Sequence, residues 1–278
     1  MKTVKIKNIS IGPNLPLVLI SGPCVIESEE STLEAAHFLK ELSEELDIPL
    51  IFKSSYDKAN RSSYFSFRGP GLEKGLQILD KVKKTYHLPV LSDVHTVEEI
   101  DEAQHVLDVL QIPAFLCRQT DLVTACAKTK CAINVKKGQF LAPWDMKNVI
   151  DKIEAMGNHN IILTERGFSF GYNNLVADMR SIPIMQKLGY PVCFDGTHSV
   201  QLPGGQGTSS GGQRDMIPTL SKAAVAAGCN VIFLESHPHP QAAKSDAASV
   251  MAFDDLKPLL KSLKLIHQAI SIDTYAKV

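Results

Sequence analysis

The sequence predicts an α/β fold, specifically a (β/α)8 TIM barrel in which parallel strands alternate with helices. Three observations carry that prediction. Short, nearly continuous apolar runs alternate with helix-spaced apolar residues, a pair recurring roughly every 30 residues. Gly or Pro precedes many of the runs, as at Pro49, Pro89, Pro191 and Gly228. The length of 278 residues, 44% hydrophobic, suits one such barrel with an ample core. Right-handed crossovers between parallel strands make closure the economical solution. A doubly wound open sheet is the alternative, but no glycine-rich dinucleotide fingerprint follows the first run. No internal boundary is visible, so residues 1–278 read as one domain.

The first dozen residues predict a short β-hairpin closing the N-terminal end of the barrel. Residues 17–24 (LVLISGPC) read as a buried first strand. A helix follows, with Ser31 and Glu34 spaced as a capping box and Leu33, Ala36, Leu39, Leu42 and Leu46 at helical intervals. PLIFKSS is the second strand, and a helix bearing Leu72, Leu76, Leu79 and Val82 comes after a polar loop. PVLSDVH is the third, running into Thr96 and Glu99, a second capping-box spacing. VLQIPAF precedes a helix at 120–129, and CAINVKK precedes one at 145–156. NIILTERG precedes a helix at 174–188, PVCFDGTH one at 216–227, and NVIFLESH one at 254–270.

Composition excludes several function classes. A formal net charge of −1 favours neither nucleic acid nor an acidic membrane surface. No apolar stretch approaches the roughly 20 residues needed to span a bilayer. The N-terminal MKTVKIKNISIG lacks the continuous apolar core of a signal peptide, which points to the cytoplasm. Six scattered cysteines do not form a disulfide framework; five read as small buried hydrophobes. Cys24 differs, because it ends a strand after Gly22 and Pro23.

In a closed barrel the chemistry gathers at the C-terminal ends of the strands. Those ends carry Cys24, Lys53, Asp93, Arg118 (just past the fourth strand), Lys136, Arg166, His198 and Glu235. Strands seven, eight and one become neighbours on closure. Cys24, His198 and Glu235 then share a sector, and Asp246 can fold back from the last loop. One thiolate, one imidazole and two carboxylates suit a divalent transition metal. His237 and His239, in a Pro-rich turn, are weaker metal candidates. Lys53, Lys136 and Arg166 lie in other sectors and predict a positive floor for anions, adjacent to the metal site but distinct from it. Beyond His198, the Gly- and Ser-rich segment 201–214 reads as a flexible loop placed to act as a lid.

KANRSS (58–63) makes the sequence specific. Together with SGPCVIES (21–28), FKSSYDKANRSS (52–63), LSDVH (91–95), QIPAFLCRQTDL (111–122), NVKKGQF (134–140), TERG (164–167), FDGTHSVQLPGG (194–205) and ESHPHPQAAKSDA (235–247), it resembles the 3-deoxy-D-manno-octulosonate 8-phosphate synthases over nearly the whole chain. The related 3-deoxy-D-arabino-heptulosonate 7-phosphate synthases typically carry a Lys-Pro-Arg-Thr type sequence where KANRSS stands. The resemblance implies condensation of phosphoenolpyruvate with D-arabinose 5-phosphate and water, a step in lipopolysaccharide precursor synthesis. Alternatives are another phosphoenolpyruvate–aldose synthase and a non-catalytic sugar-phosphate-binding regulator. The family has a metal-independent branch with Asn in place of the strand-one Cys. Cys24 therefore implies the metal-dependent branch, with Fe2+ or Zn2+ as the expected ion and Mn2+ as a substitute.

By the same resemblance, Lys53, Lys136 and Arg166 bind phosphoenolpyruvate, completed by Gln111 and the backbone near Ala114. Lys58 lies between the two substrates. Asn60, Arg61 and Ser62 bind the pentose phosphate, with Gln201 and Ser210 as weaker contacts and Asp93 near the sugar. Lys58, Asn60, His198 and Asp246 are the expected catalytic groups. Arg118 resembles a residue that reaches a neighbouring subunit's sugar phosphate, and a homotetramer is implied.

Overall fold

The computed structural model describes residues 1–204 and 211–272. An antiparallel hairpin, β1 (Val4–Ile6) and β2 (Ile9–Ile11), opens the chain. The barrel strands and helices then alternate: β3 (Val18–Gly22), α1 (Glu29–Leu46), β4 (Leu50–Lys53), α2 (Leu72–Tyr86), β5 (Val90–Asp93), α3 (Ile100–Val106), β6 (Val109–Ile112), α4 (Thr120–Ala127), β7 (Ala132–Lys136), α5 (Met146–Glu154) and β8 (Ile161–Glu165). A small hairpin, β9 (Phe168–Ser169) and β10 (Leu175–Val176), precedes α6 (Ser181–Gln186) and β11 (Val192–Asp195). A second one, β12 (Gln201–Leu202) and β13 (Gly211–Gly212), precedes α7 (Ile217–Ala226), β14 (Val231–His237), β15 (Met251–Ala252) and α8 (Phe253–Ile272).

The eight long strands are all parallel and run β11-β8-β7-β6-β5-β4-β3-β14, and β14 pairs back onto β11 to close the ring. The expected barrel is therefore present. Its strands are buried along nearly their whole length because each is covered by helices outside and side chains inside. The N-terminal hairpin sits where expected, at the N-terminal end of the strands. Val4, Ile6, Ile9 and Ile11 are buried in the core. Lys2 donates to Glu154 at 2.7 Å and to the Tyr190 hydroxyl at 2.9 Å, and Asn230, just before β14, donates to Gly12 O at 3.2 Å.

Three local expectations fail for identifiable reasons. Helix α1 starts at Glu29, with Ser28 as its cap: Ser28 Oγ accepts from Ser31 N at 3.1 Å, so the Ser31–Glu34 capping box does not form. The Thr96–Glu99 box also fails. The Glu99 carboxylate accepts instead from His95 N at 2.8 Å and the Tyr56 hydroxyl at 2.6 Å, and α3 begins at Ile100. The helix expected at 174–188 shrinks to Ser181–Gln186. Gly171 and Asn173 take left-handed φ of 70° and 53° and turn the chain into the β9–β10 hairpin.

Candidate active site and metal centre

The strand ends gather the expected side chains at one mouth of the barrel. Gly22 permits this at the start: a Cβ there would lie 2.0 Å from Lys53 O, so only glycine lets β3 approach β4. Two residues later Cys24 is buried, with Sγ 3.0 Å from Asp246 Oδ2 and 3.0 Å from Ser245 Oγ. Asp246 reaches back from the loop after β14 on a left-handed backbone (φ 50°), a conformation Asp tolerates better than most residues. Ligand atoms of Cys24, Glu235 and Asp246 all lie within 4.8 Å of one another. His198, the fourth expected ligand, stands just outside that trio, with Nε2 3.7 Å from Glu235 Oε2. His237 turns elsewhere, toward Glu27 at 3.7 Å, and its Nδ1 takes the backbone N–H of His239.

The donor set fits a divalent transition ion. Glu235 is fully buried, yet its Oε2 has no hydrogen-bond partner among the described residues. Burial, reinforced by Asp246 and Glu235, pushes the Cys24 thiol well above its ordinary range. A thiol and two carboxylates gathered this closely in a buried site are a donor set that a divalent cation would stabilise.

The cations are not a separate floor. Lys53, 1% exposed, bridges Glu235 Oε1 at 2.5 Å and Cys24 O at 2.9 Å, so it touches the candidate metal ligands directly. Lys136 donates to Asp195 Oδ2 at 2.8 Å. Buried Arg166 donates through Nη2 to Gln201 Oε1 at 3.1 Å, while its buried Nη1 has no partner among the described residues. Gln201 in turn donates to Asp246 Oδ1 at 2.8 Å. Charges of both signs thus interleave, because a cluster of bare buried cations would be costlier than alternating ones.

A hydrogen-bonded belt continues around the other strands. Ser55 and Gln111 donate to the two oxygens of Asp93 at 2.5 and 2.6 Å, Asn134 donates to Gln111 at 2.8 Å, and Thr164 to Asn134 at 2.6 Å. Burial favours the neutral carboxyl of Asp93, but Lys53, Lys58 and Lys136 outweigh it and hold the group below its ordinary range. Glu235 and Asp246 behave alike. Burial raises each, and the net shift is downward, through Lys53, His198 and Lys58 for Glu235 and through His198 and Lys58 for Asp246. For Lys58, burial acts to lower the value. Cys24, if ionised, then Glu235, Asp93 and Asp246 overcome it, leaving the ammonium favoured.

The loop carrying Lys58 to Ser62 projects from β4. Lys58 N donates to Arg68 O at 2.7 Å, and Arg68 grips Asp57 through two hydrogen bonds. Arg61 donates to Phe67 O at 3.0 Å and to Lys244 O at 3.2 Å, next to the loop that carries Asp246. Asn60 and Ser62 are exposed at the mouth. Ala114 opens a short 3-10 turn after β6, and Arg118 beyond it is exposed. Ser210 and part of the expected lid lie outside the described residues; the flanks pair as β12 and β13, Gln201 opposite Gly212.

Sequence reading missed Asp195, fully buried at the end of β11 and bonded to both Lys136 and His198. It also missed the buried Lys137–Glu165 pair at 3.5 Å, on neighbouring strand ends. The available signal was position: Lys137 and Glu165 adjoin Lys136 and Arg166, and Asp195 ends its apolar run three residues before His198.

The DAHP synthetase I family matches residues 2–271. The 2-dehydro-3-deoxyphosphooctonate aldolase of Protochlamydia amoebophila (strain UWE25) is 61% identical over 270 residues, covering 97% of this chain and 98% of that protein. Proteins of the same name from Geobacter metallireducens (61% over 265 residues, 95% and 97% covered) and Trichlorobacter lovleyi (60% over 269 residues, 97% and 99% covered) are similarly close.

Proposed function

This chain belongs to the DAHP synthetase I family, and we propose that it condenses phosphoenolpyruvate with D-arabinose 5-phosphate and water. The products are 3-deoxy-D-manno-octulosonate 8-phosphate and inorganic phosphate, making the enzyme a transferase of lipopolysaccharide precursor synthesis. The observation that carries the reading is about 60% identity, over almost the full length, to proteins named for a phosphorylated eight-carbon keto acid. KANRSS supports the five-carbon aldehyde over the four-carbon one.

The residues divide the work between two anionic substrates. Lys53, Lys136 and Arg166 hold phosphoenolpyruvate, Arg166 through the paired N–H donors that suit a phosphate or carboxylate. Its buried Nη1, without a partner among the described residues, supports that reading as a donor available to an acceptor. Gln111 and the turn at Ala114 complete that pocket, and Asn60, Arg61 and Ser62 take the pentose phosphate. C3 of phosphoenolpyruvate bonds to the aldehyde carbon while water adds at C2. The aldehyde oxygen gains a proton, and the C2–O bond to phosphate breaks to leave the keto group. Lys58, charged among Glu235, Asp93 and Asp246, would donate to the developing alkoxide. Asp246 would accept a proton from water. Aligning two reactants on fixed charges supplies several kcal/mol, on the order of the gain from intramolecularity.

Cys24, His198, Glu235 and Asp246 would hold a divalent ion, Fe2+ or Zn2+ foremost and Mn2+ as a substitute. Such an ion supplies Lewis acidity toward water or the carbonyl. We also assign the chain to a homotetramer in the cytoplasm. No described helix is long and apolar enough to cross a membrane. The exposed aromatics Phe115, Phe140, Trp144, Phe170 and Tyr172, on loops after β6, β7 and β8, support a subunit contact beside Arg118.

Phosphate release from phosphoenolpyruvate, measured with arabinose 5-phosphate, erythrose 4-phosphate or an N-acetyl sugar, tests the assignment. Turnover should be fastest with arabinose 5-phosphate. Preference for erythrose 4-phosphate would reassign the chain to the seven-carbon synthases, and no release with any aldehyde and metal would point to a regulator.

A further inference from the structure

We propose that Asp195 is a positioning residue that fixes the tautomer of His198 and the place of Lys136 with one buried carboxylate. The inference builds on His198 serving as a metal ligand. Asp195 is 0% exposed at the C-terminal end of β11. Its Oδ1 accepts from His198 N at 2.9 Å, and its Oδ2 lies 2.7 Å from His198 Nδ1 and 2.8 Å from Lys136 Nζ. The Phe233 ring lies beneath both partners, 4.1 Å from Lys136 Nζ and 5.8 Å from the imidazole.

A carboxylate can only accept, so the hydrogen in the 2.7 Å contact belongs to Nδ1. Lys136 also stands 3.3 Å from Nδ1, but a protonated nitrogen offers it no lone pair, and the ammonium turns to Asp195 instead. In the neutral ring Nε2 is then the nitrogen with a free lone pair. It faces Glu235 Oε2, the buried carboxylate oxygen without a hydrogen-bond partner among the described residues. One side chain therefore readies a ligand nitrogen toward the metal cluster and keeps a lysine beside the phosphoenolpyruvate pocket. A second partner on a ligating histidine is the usual means of orienting it.

Asn at 195 cannot do both. Its oxygen can face Nδ1–H only if its NH2 meets the His198 backbone N–H. Flipped, the NH2 meets Lys136 and favours an imidazole protonated on Nε2. The same exchange beside a catalytic histidine elsewhere costs about 10⁴ in kcat through the wrong tautomer.

Two measurements test this without substrate. In chelated, 15N-histidine-labelled protein, the neutral His198 ring, its signals assigned by their loss in His198→Gln, should carry its proton on Nδ1. A neutral ring protonated on Nε2 alone would overturn the proposal. In Asp195→Asn, Zn2+ affinity by chelator competition should fall about 10–100-fold, with unchanged far-UV dichroism. Wild-type affinity would also overturn it. If that variant does not fold, the wild-type spectrum still decides. Failure of the wild-type chain to release phosphate would sink the assigned reaction while leaving both of these readouts intact.

Discussion

Replacing Lys53 by Met tests how the proposed metal-binding cluster is held together. Lys53 and Glu235 are each 1% exposed at their side chains, and their contact is 2.5 Å. Met keeps much of the volume and removes the charge, leaving a carboxylate buried with one oxygen already unpartnered. Breaking a buried pair from one side costs about 3–5 kcal/mol. At roughly 2–4 °C per kcal/mol for a chain approaching this size, the melting temperature of chelated protein should fall by roughly 6–20 °C. A divalent cation then becomes the missing counter-charge. Adding it should therefore recover more stability in K53M than in the wild type, by linkage to a state that needs it more. Differential scanning fluorimetry with and without metal reads both effects. A chelated K53M melting with the wild type would refute the view that Lys53 neutralises this cluster, as would an equal metal-induced rise in both proteins.

Three further outcomes follow from the same structure. Chelation should abolish most phosphate release and added divalent metal should restore it, whereas Cys24→Asn should keep partial activity with weakened metal dependence; full activity in the verified metal-free wild type contradicts this. Gly22→Ala should destabilise the barrel by about 2–5 kcal/mol, from strain and the clash with Lys53 O, and melting within about a degree of wild type speaks against it. Glu154 is held down to about 2 by hydrogen bonds from Lys2 and Tyr190. A carboxyl lowered in the folded state stabilises above its unfolded value of about 4.3 and loses that contribution as pH falls toward the folded one. The stability gap between wild type and Glu154→Gln, up to about 1 kcal/mol at neutral pH, should therefore vanish near pH 2; denaturant midpoints that keep the same gap throughout would disprove it.

The barrel was legible because strands buried on both faces print as apolar runs such as LVLIS and VIFLE, and the ring's closure explains why Cys24 and Glu235 meet. Local starts were less legible. A Ser or Thr three residues before Glu matches the capping-box pattern at both Ser31 and Thr96, yet Ser28 takes the first role and Tyr56, distant in sequence, takes Glu99. The 174–188 error has the same origin, since apolar spacing does not register a turn made by Gly171 and Asn173. At the site, residue types at the strand ends were readable but their pairing was not. Whether Lys53 faces a substrate sector or Glu235, and whether Asp195 is strand or site, depends on side-chain direction within a ring of eight strands.

The most direct test of the account is cobalt(II) substitution followed by absorption spectroscopy. Closure of the barrel around one ion predicts one Co2+ per chain and a thiolate-to-cobalt charge-transfer band that disappears in Cys24→Ser and weakens in Glu235→Gln. Cobalt bound without that band, or a band indifferent to Cys24, would contradict it.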